Sequence, residues 1–231
     1  MSANITKIEP PPALRDGDRL DAGEFHRRYL AMPFVKNAQL IDGVVQMASP
    51  VGIENHSLPH GDIMSWLGAY RFGLPGVRLG DNGTFRVDDE NEPQPDAMLL
   101  LAPESGGNTW IDENDFLHGS PELIVEIAAS SARLDAGAKR DLYERIGVRE
   151  YLLWRVPEQR IDWWPLADGR FRPLTPDEHG ILCSNVFPGL WLNVPALIAG
   201  RMDLVKTTLD AGLAGAEHIA FANRLRAGTA G

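Results

Sequence analysis

The chain has 231 residues, 44% apolar and 23% charged, an ordinary globular composition and enough length to bury a core without cross-links. Its 22 Lys and Arg against 32 Asp and Glu give a formal net charge of −10, which argues against general affinity for nucleic acid but leaves room for a local basic groove. A single cysteine, Cys183, excludes an internal disulfide or a thiolate zinc cluster. No apolar run is long enough to span a membrane, and residues 1–7 lack a signal-peptide core, so a reducing, cytoplasmic setting is expected.

In chain order, residues 1–20 carry Pro10-Pro11-Pro12 and no periodicity, and read as a flexible arm. Asp21 and Glu24 have capping-box spacing and open a short helix bearing Phe25, Tyr29 and Leu30. Gln39 to Met47 is apolar around Asp42-Gly43, the strongest short hairpin signal, and Ser49-Pro50 ends the second strand. Residues 60–72 show helical spacing at Ile63, Met64, Leu67 and Tyr70, with Pro59 suited to the first turn. Thr84 to Val87 reads as a short strand and 88–93 as an acidic loop.

Two apolar runs, Ala97–Leu101 and Leu123–Ala128, read as strands buried on both faces. Ser130 and Ser131 supply caps for a helix over 136–146, which places Leu142 and Ile146 inward and ends at Gly147. Residues 151–156 form the next strand, 160–165 and 171–174 a meander, and 194–226 a helical stretch interrupted at Gly200, Gly212 and Gly215. The class is α/β, a mixed sheet flanked by helices with an N-terminal β-hairpin. The domain spans 21–195, and a helical extension over 196–231 packs onto it or onto a second subunit.

The buried acids carry the chemistry. Glu126 sits inside Ile-Val-Glu-Ile-Ala, where an isolated carboxylate costs several kcal/mol unless a cation or a proton compensates it. Asp96 stands at the mouth of the preceding apolar strand. If the two strands are neighbours, the acids converge at one sheet end. With the Ile127 carbonyl and waters they would suit a hard divalent ion, Mg²⁺ or Mn²⁺. Lys139, on the helix after the Glu126 strand, shares a helix face with Asp135 and Tyr143 and can supply an ammonium.

Each residue also has a simpler reading: Asp96 as a turn residue, Glu126 as an arginine partner, Lys139 as a solvated charge. Spacing alone does not decide between these and a shared site. His56 and His60 are four apart, with Asp62 nearby, and could share zinc, but they read better as a loop residue and a helix-start residue. No base accompanies Ser130 or Ser131, and no phosphate-binding loop or dinucleotide fingerprint occurs.

The ordered set Leu40-Ile41-Asp42-Gly43, Met47-x-Ser49-Pro50, His56, Pro95-Asp96, Val125-Glu126-Ile127 and Lys139-x-x-x-Tyr143-x-x-x-Gly147-Val148-x-Glu150-Tyr151 closely resembles the Uma-type family of restriction-endonuclease-like proteins, in the PD-(D/E)xK nuclease superfamily. The match covers roughly residues 20–195. The resemblance implies a restriction-endonuclease-like core built from 60–72, 84–87, 96–101, 123–128, 136–146 and 151–156. It implies Asp96 and Glu126 as metal ligands, a catalytic lysine moved from the strand to the helix at Lys139, and His56 beside the cleft. The family usually has glutamate where this chain has Gln39, which can orient a water or phosphate but cannot be a carboxylate ligand. It often has an acid where this chain has Val44.

The reading favoured is Mg²⁺-dependent (or Mn²⁺-dependent) hydrolysis of nucleic acid, DNA rather than RNA, with catalytic Asp96, Glu126 and Lys139, metal ligands Asp96, Glu126 and Ile127, and support from Gln39, His56, Asp135 and Tyr143. Two alternatives stay open: a nuclease-fold binding module with weak or no turnover, and a metal-dependent hydrolase of nucleotides. No membrane partner is expected, and a homodimer is compatible with the C-terminal apolar positions.

Overall fold

The computed structural model describes residues 10–47, 50–129 and 131–228, which fall into two units: Met1–Ser49 with Arg86–Gln94, and Pro50–Phe85 with Pro95–Gly231. In the smaller unit, Asp21 caps α1 (Ala22–Leu30) by accepting from Glu24 N at 2.8 Å. The capping box is only half made, because the Glu24 carboxylate goes to Arg27 and Arg28 instead of back to the cap. Strands β1 (Ala38–Ile41) and β2 (Val44–Met47) pair through a turn in which Asp42 (φ 50°) and Gly43 (φ 69°) are both left-handed, as a two-residue hairpin requires.

Two expectations are corrected here. The arm expected over 1–20 is tied down in its later part: Leu14 is buried, and Gly17 and Leu20 donate to Val45 O and Gly43 O. A lone hairpin leaves donors and acceptors unpaired along its edge, and this segment satisfies them. Residues 1–9 lie outside the described residues. The acidic loop is likewise a partner of the hairpin, since Leu40 and Glu92 exchange both backbone hydrogen bonds. Glu92 is buried there between His26 (3.2 Å) and Arg86 (3.3 Å).

The larger unit is built on a six-stranded mixed sheet. A π-helical turn, Ile53–Ser57, leads into α2 (Leu58–Arg71). Then come β3 (Val77–Asp81), β4 (Ala97–Leu101), the outlying hairpin β5 (Asn108–Ile111) and β6 (Leu117–Ser120), and β7 (Leu123–Ala128). After a helical crossover follow β8 (Glu150–Arg155), β9 (Arg160–Ala167) and β10 (Arg170–Phe171). The sheet order is β10-β9-β8-β7-β4-β3, with only β7 and β8 parallel. The strand expected at 84–87 is not in this sheet. Its place at the edge is taken by β3, and Phe85 makes only an isolated bridge to Leu117.

Every residue of β4 and of β7 is buried, as near-continuous apolar strands between two helical layers should be. One face carries the main core: Val125, Ile127, Leu152 and Trp154 pack with Trp66 and Tyr70 of α2. After a small hairpin of β11 (Ile181–Cys183) and β12 (Trp191–Asn193), the chain ends in α5 (Val194–Ile198), α6 (Met202–Leu213) and α7 (Ala216–Gly228). Val205, Leu209, Phe221 and Leu225 of the C-terminal helices belong to that same core, while Leu204 and Ile219 stay exposed. Among the described residues no helix is long and apolar enough to cross a membrane.

Candidate active site

Strands β4 and β7 are antiparallel neighbours with Ala97 opposite Val125, so Asp96 stands opposite Glu126 at one end of the sheet. Asp96 is fixed there by its Oδ2, which accepts from Ile127 N at 2.6 Å. Side chains alternate along a strand, and Val125 and Ile127 face the main core. Glu126 therefore faces the opposite side, towards the crossover helix.

That helix is not regular. It runs as α3 (Ala132–Leu134), a π-helical turn Asp135–Lys139, and α4 (Arg140–Arg145), with Gly137 off the helical geometry at φ −111°, ψ −106°. Such local widening is a recurrent device at functional sites. Lys139 Nζ donates to Glu126 Oε1 at 2.9 Å and lies 3.2 Å from Asp135 Oδ1. Tyr143 donates to the same Glu126 Oε1 at 2.9 Å. Gly147 (φ 80°) then ends the helix, with Val148 N donating to Tyr143 O.

Two further residues complete the network. Ser131 occupies the helix start but does not cap it; its hydroxyl donates to Asp135 Oδ2. Tyr151 donates to Asp135 O at 3.0 Å and packs edge-on against Tyr143. Ser130 lies outside the described residues.

Asp135, Glu126 and Lys139 are at most 3% exposed, and Asp96 is 9% exposed. Burial pushes the Glu126 carboxyl up to about 8; Lys139 opposes the rise, while Asp135 and Asp96 add to it. Burial also raises Asp96, against the pull of His56, the Ile127 N–H and Lys139. For Lys139, burial works against the charge, but Glu126 and Asp135 outweigh it and hold the ammonium protonated. Leaving His56 aside, one ammonium faces three carboxyl groups, an excess of two negative charges when all are ionised. Such an excess, out of water, calls for protons or for a cation.

The oxygens are used unequally. Glu126 Oε1 takes both Lys139 and Tyr143, and among the described residues nothing donates to Oε2. Asp96 Oδ2 is committed to the backbone, and among the described residues its Oδ1 faces only His56 Nε2, at 3.5 Å. The donor set therefore fits a hard divalent ion: one uncommitted oxygen on each acid plus the Ile127 carbonyl. Among the described residues no group of three or more His, Cys, Asp or Glu forms a preformed metal cage. A site of two carboxylates and a carbonyl leaves most of a hard ion's coordination shell to water and substrate.

His56, in the turn before α2, faces Ile127 O with Nδ1 at 2.9 Å. Because a carbonyl only accepts, Nδ1 carries the proton, and Nε2 points at Asp96. His60 stacks on His56 with ring centres 5.9 Å apart and places Nε2 3.0 Å from Asp96 O and 3.2 Å from Asp81 Oδ1. The two rings meet Asp96 at different atoms, His56 at the carboxylate and His60 at the backbone carbonyl. Sequence reasoning singled out this pair but set His60 aside, and nothing in the sequence pointed to Asp81 or to the Ser131–Asp135 contact. Gln39 lies in the smaller unit, where its Oε1 accepts from Gln94 N at 3.4 Å.

Comparison with known proteins agrees with the resemblance. The Uma2 family model, described as "Putative restriction endonuclease", matches residues 23–195. Among solved structures, a chain titled as a putative nuclease belonging to DUF820 from Anabaena variabilis is 14% identical, with a TM-score of 0.53 over 71% of this chain and 90% of that one. At that identity the likeness shows the fold alone. No curated protein matches the chain.

Proposed function

Because the chain belongs to the Uma2 family, we propose that it is a nuclease that hydrolyses phosphodiester bonds of DNA with the help of a divalent ion. Family and fold point to a restriction-endonuclease-like nuclease and hence to a nucleic-acid substrate. The single observation that carries the finer reading is the buried excess of negative charge at Asp96, Glu126 and Asp135, with one oxygen of each strand acid left uncommitted.

Restriction-endonuclease-like enzymes generally use divalent metals, and Asp96, Glu126 and the Ile127 carbonyl would hold Mg²⁺ or Mn²⁺ here. When bound, such an ion acidifies water and offsets charge on the phosphoryl group. Lys139 keeps its proton under the influence of Glu126 and Asp135, so Nζ acts as a hydrogen-bond donor to developing negative charge and not as a base. Tyr143 and Asp135 hold Glu126 and Lys139 in register, and Ser131 holds Asp135. His56 Nε2, 3.5 Å from the Asp96 carboxylate, is placed to orient a water by accepting from it.

The test is cleavage of duplex DNA, single-stranded DNA, RNA and nucleotides in parallel, with Mg²⁺ or Mn²⁺, by the wild type and by Asp96→Ala/Glu126→Ala. DNA cleavage that needs the metal and vanishes in the double variant is expected. Undiminished cleavage by the double variant contradicts the proposal. Turnover of nucleotides alone would favour a nucleotide hydrolase. Nucleic-acid binding without metal uptake or turnover would favour a non-catalytic module, the reading that Gln39 supports.

A further inference from the structure

Arg155 ends β8 at the same end of the sheet as Glu126. In the parallel β7–β8 pair Glu126 lies beside Leu153 and Ala128 beside Arg155. Residues two apart share a face, and Trp154 between them belongs to the core on the other side. Arg155 therefore shares the face of Glu126, about 6.6 Å further along at ~3.3 Å per residue. The carboxyl ends of adjacent parallel strands are where α/β sheets habitually bind ligands.

The guanidinium is held but not saturated. Its Nε lies 3.1 Å from Asp162 Oδ2 on β9, yet both atoms are buried and neither makes a hydrogen bond. Nη1 donates to the half-exposed Glu158 at 3.3 Å, and among the described residues none accepts from Nη2. A guanidinium has five donors in a planar fork that matches two oxygens of a phosphate. Asp162 also takes Arg160 at 2.6 Å, but that arginine's side chain is 61% exposed.

We propose that Arg155 is a phosphate-binding residue that grips the backbone of the nucleic acid next to the bond being cut. The inference rests on the nuclease reading. The measurement is fluorescence anisotropy of a labelled duplex oligonucleotide with Ca²⁺ present, over a range of salt concentrations, for the wild type, Arg155→Ala, Arg155→Lys, Asp162→Asn and Arg160→Ala, with thermal melts confirming that each is folded.

Arg155→Ala is expected to weaken binding about tenfold and to lower the slope of log affinity against log salt by about 0.9, the loss of one phosphate contact. Arg155→Lys retains the slope, Arg160→Ala retains slope and affinity, and Asp162→Asn binds at least as tightly as the wild type. A wild-type slope in Arg155→Ala, or an equal loss in Arg155→Ala and Asp162→Asn, overturns the inference while the nuclease reading stands. A wild type that binds neither this duplex nor its single strand overturns both.

Discussion

Two glutamates on neighbouring strands, Glu126 of β7 and Glu150 of β8, are both withdrawn from water, yet their oxygens are used differently. Glu150 is closed: Oε1 accepts from Asn185 N at 2.6 Å and Val186 N at 3.3 Å, and Oε2 from the Ser184 hydroxyl at 2.6 Å. All its partners are neutral, and together they clamp a loop against the sheet. Glu126 is half open: both of its donors crowd one oxygen, one of them is an ammonium, and two more acids stand beside it. Burial pushes both up, Glu126 to about 8 and Glu150 to about 7. A buried acid, or a displaced pKa, is thus not in itself a mark of function.

The largest effect that separates the two glutamates is on turnover. Lys139→Met and Glu126→Gln are each expected to lower the rate constant for DNA cleavage by about 10²–10³-fold or more, while Glu150→Gln leaves it within a few fold. Single-turnover cleavage assays decide this, and equal losses for Glu126→Gln and Glu150→Gln would erase the distinction.

The next largest is on stability without metal, and it has opposite signs. Lys139→Met removes the one ammonium from three carboxyl groups and should destabilise by about 3–5 kcal/mol. Glu150→Ala strands the Ser184, Asn185 and Val186 donors and should cost about 1–3 kcal/mol. Glu126→Gln relieves repulsion with Asp96 and Asp135 and should be neutral or stabilising. Urea unfolding measures all three. Marked destabilisation by Glu126→Gln would show that its charge is already well balanced.

The pH dependence sharpens the same contrast. A carboxyl whose folded pKa is raised binds its proton more tightly folded than unfolded. The resulting stability is complete below the unfolded value of about 4.5 and is lost as pH rises through the folded value. Metal-free protein should therefore lose up to a few kcal/mol between about pH 4.5 and pH 8, most of it through Glu126 and a smaller part through Glu150. Glu126→Gln should flatten the profile more than Glu150→Gln does. Mg²⁺ should raise the melting temperature more at pH 8 than at pH 5.5. A profile that rises over this window would reverse the sign of the account. The smallest effect lies far from both acids: Asp21→Ala removes the α1 cap and should cost about 1 kcal/mol.

The parts of the molecule that could be read in the sequence are those whose cause is local. The runs at 97–101 and 123–128 are strands because nothing in them tolerates water, and Asp42-Gly43 turns because both residues accept a left-handed backbone. Glu126 stood out because it interrupts such a run, and Lys139 because it lies one turn beyond Asp135.

What escaped has a non-local cause. β3, with exposed Arg78 and half-buried Gly80 in its middle, is a strand only because β4 pairs with it. The clamp that Glu150 makes escaped because its partners lie more than 30 residues on. His60 reaches Asp96 O across 36 residues, and its role follows from where α2 packs. The C-terminal helices looked appended because their apolar stripes gave no hint of which surface they cover.

Calorimetric titration of Mn²⁺ into the wild type, Asp96→Asn, Glu126→Gln and Glu150→Gln at pH 8 tests the central claim most directly. One site in the wild type, retained in Glu150→Gln and lost in Asp96→Asn and in Glu126→Gln, is the result predicted. Binding of the same strength in all four proteins, or in none, would contradict it.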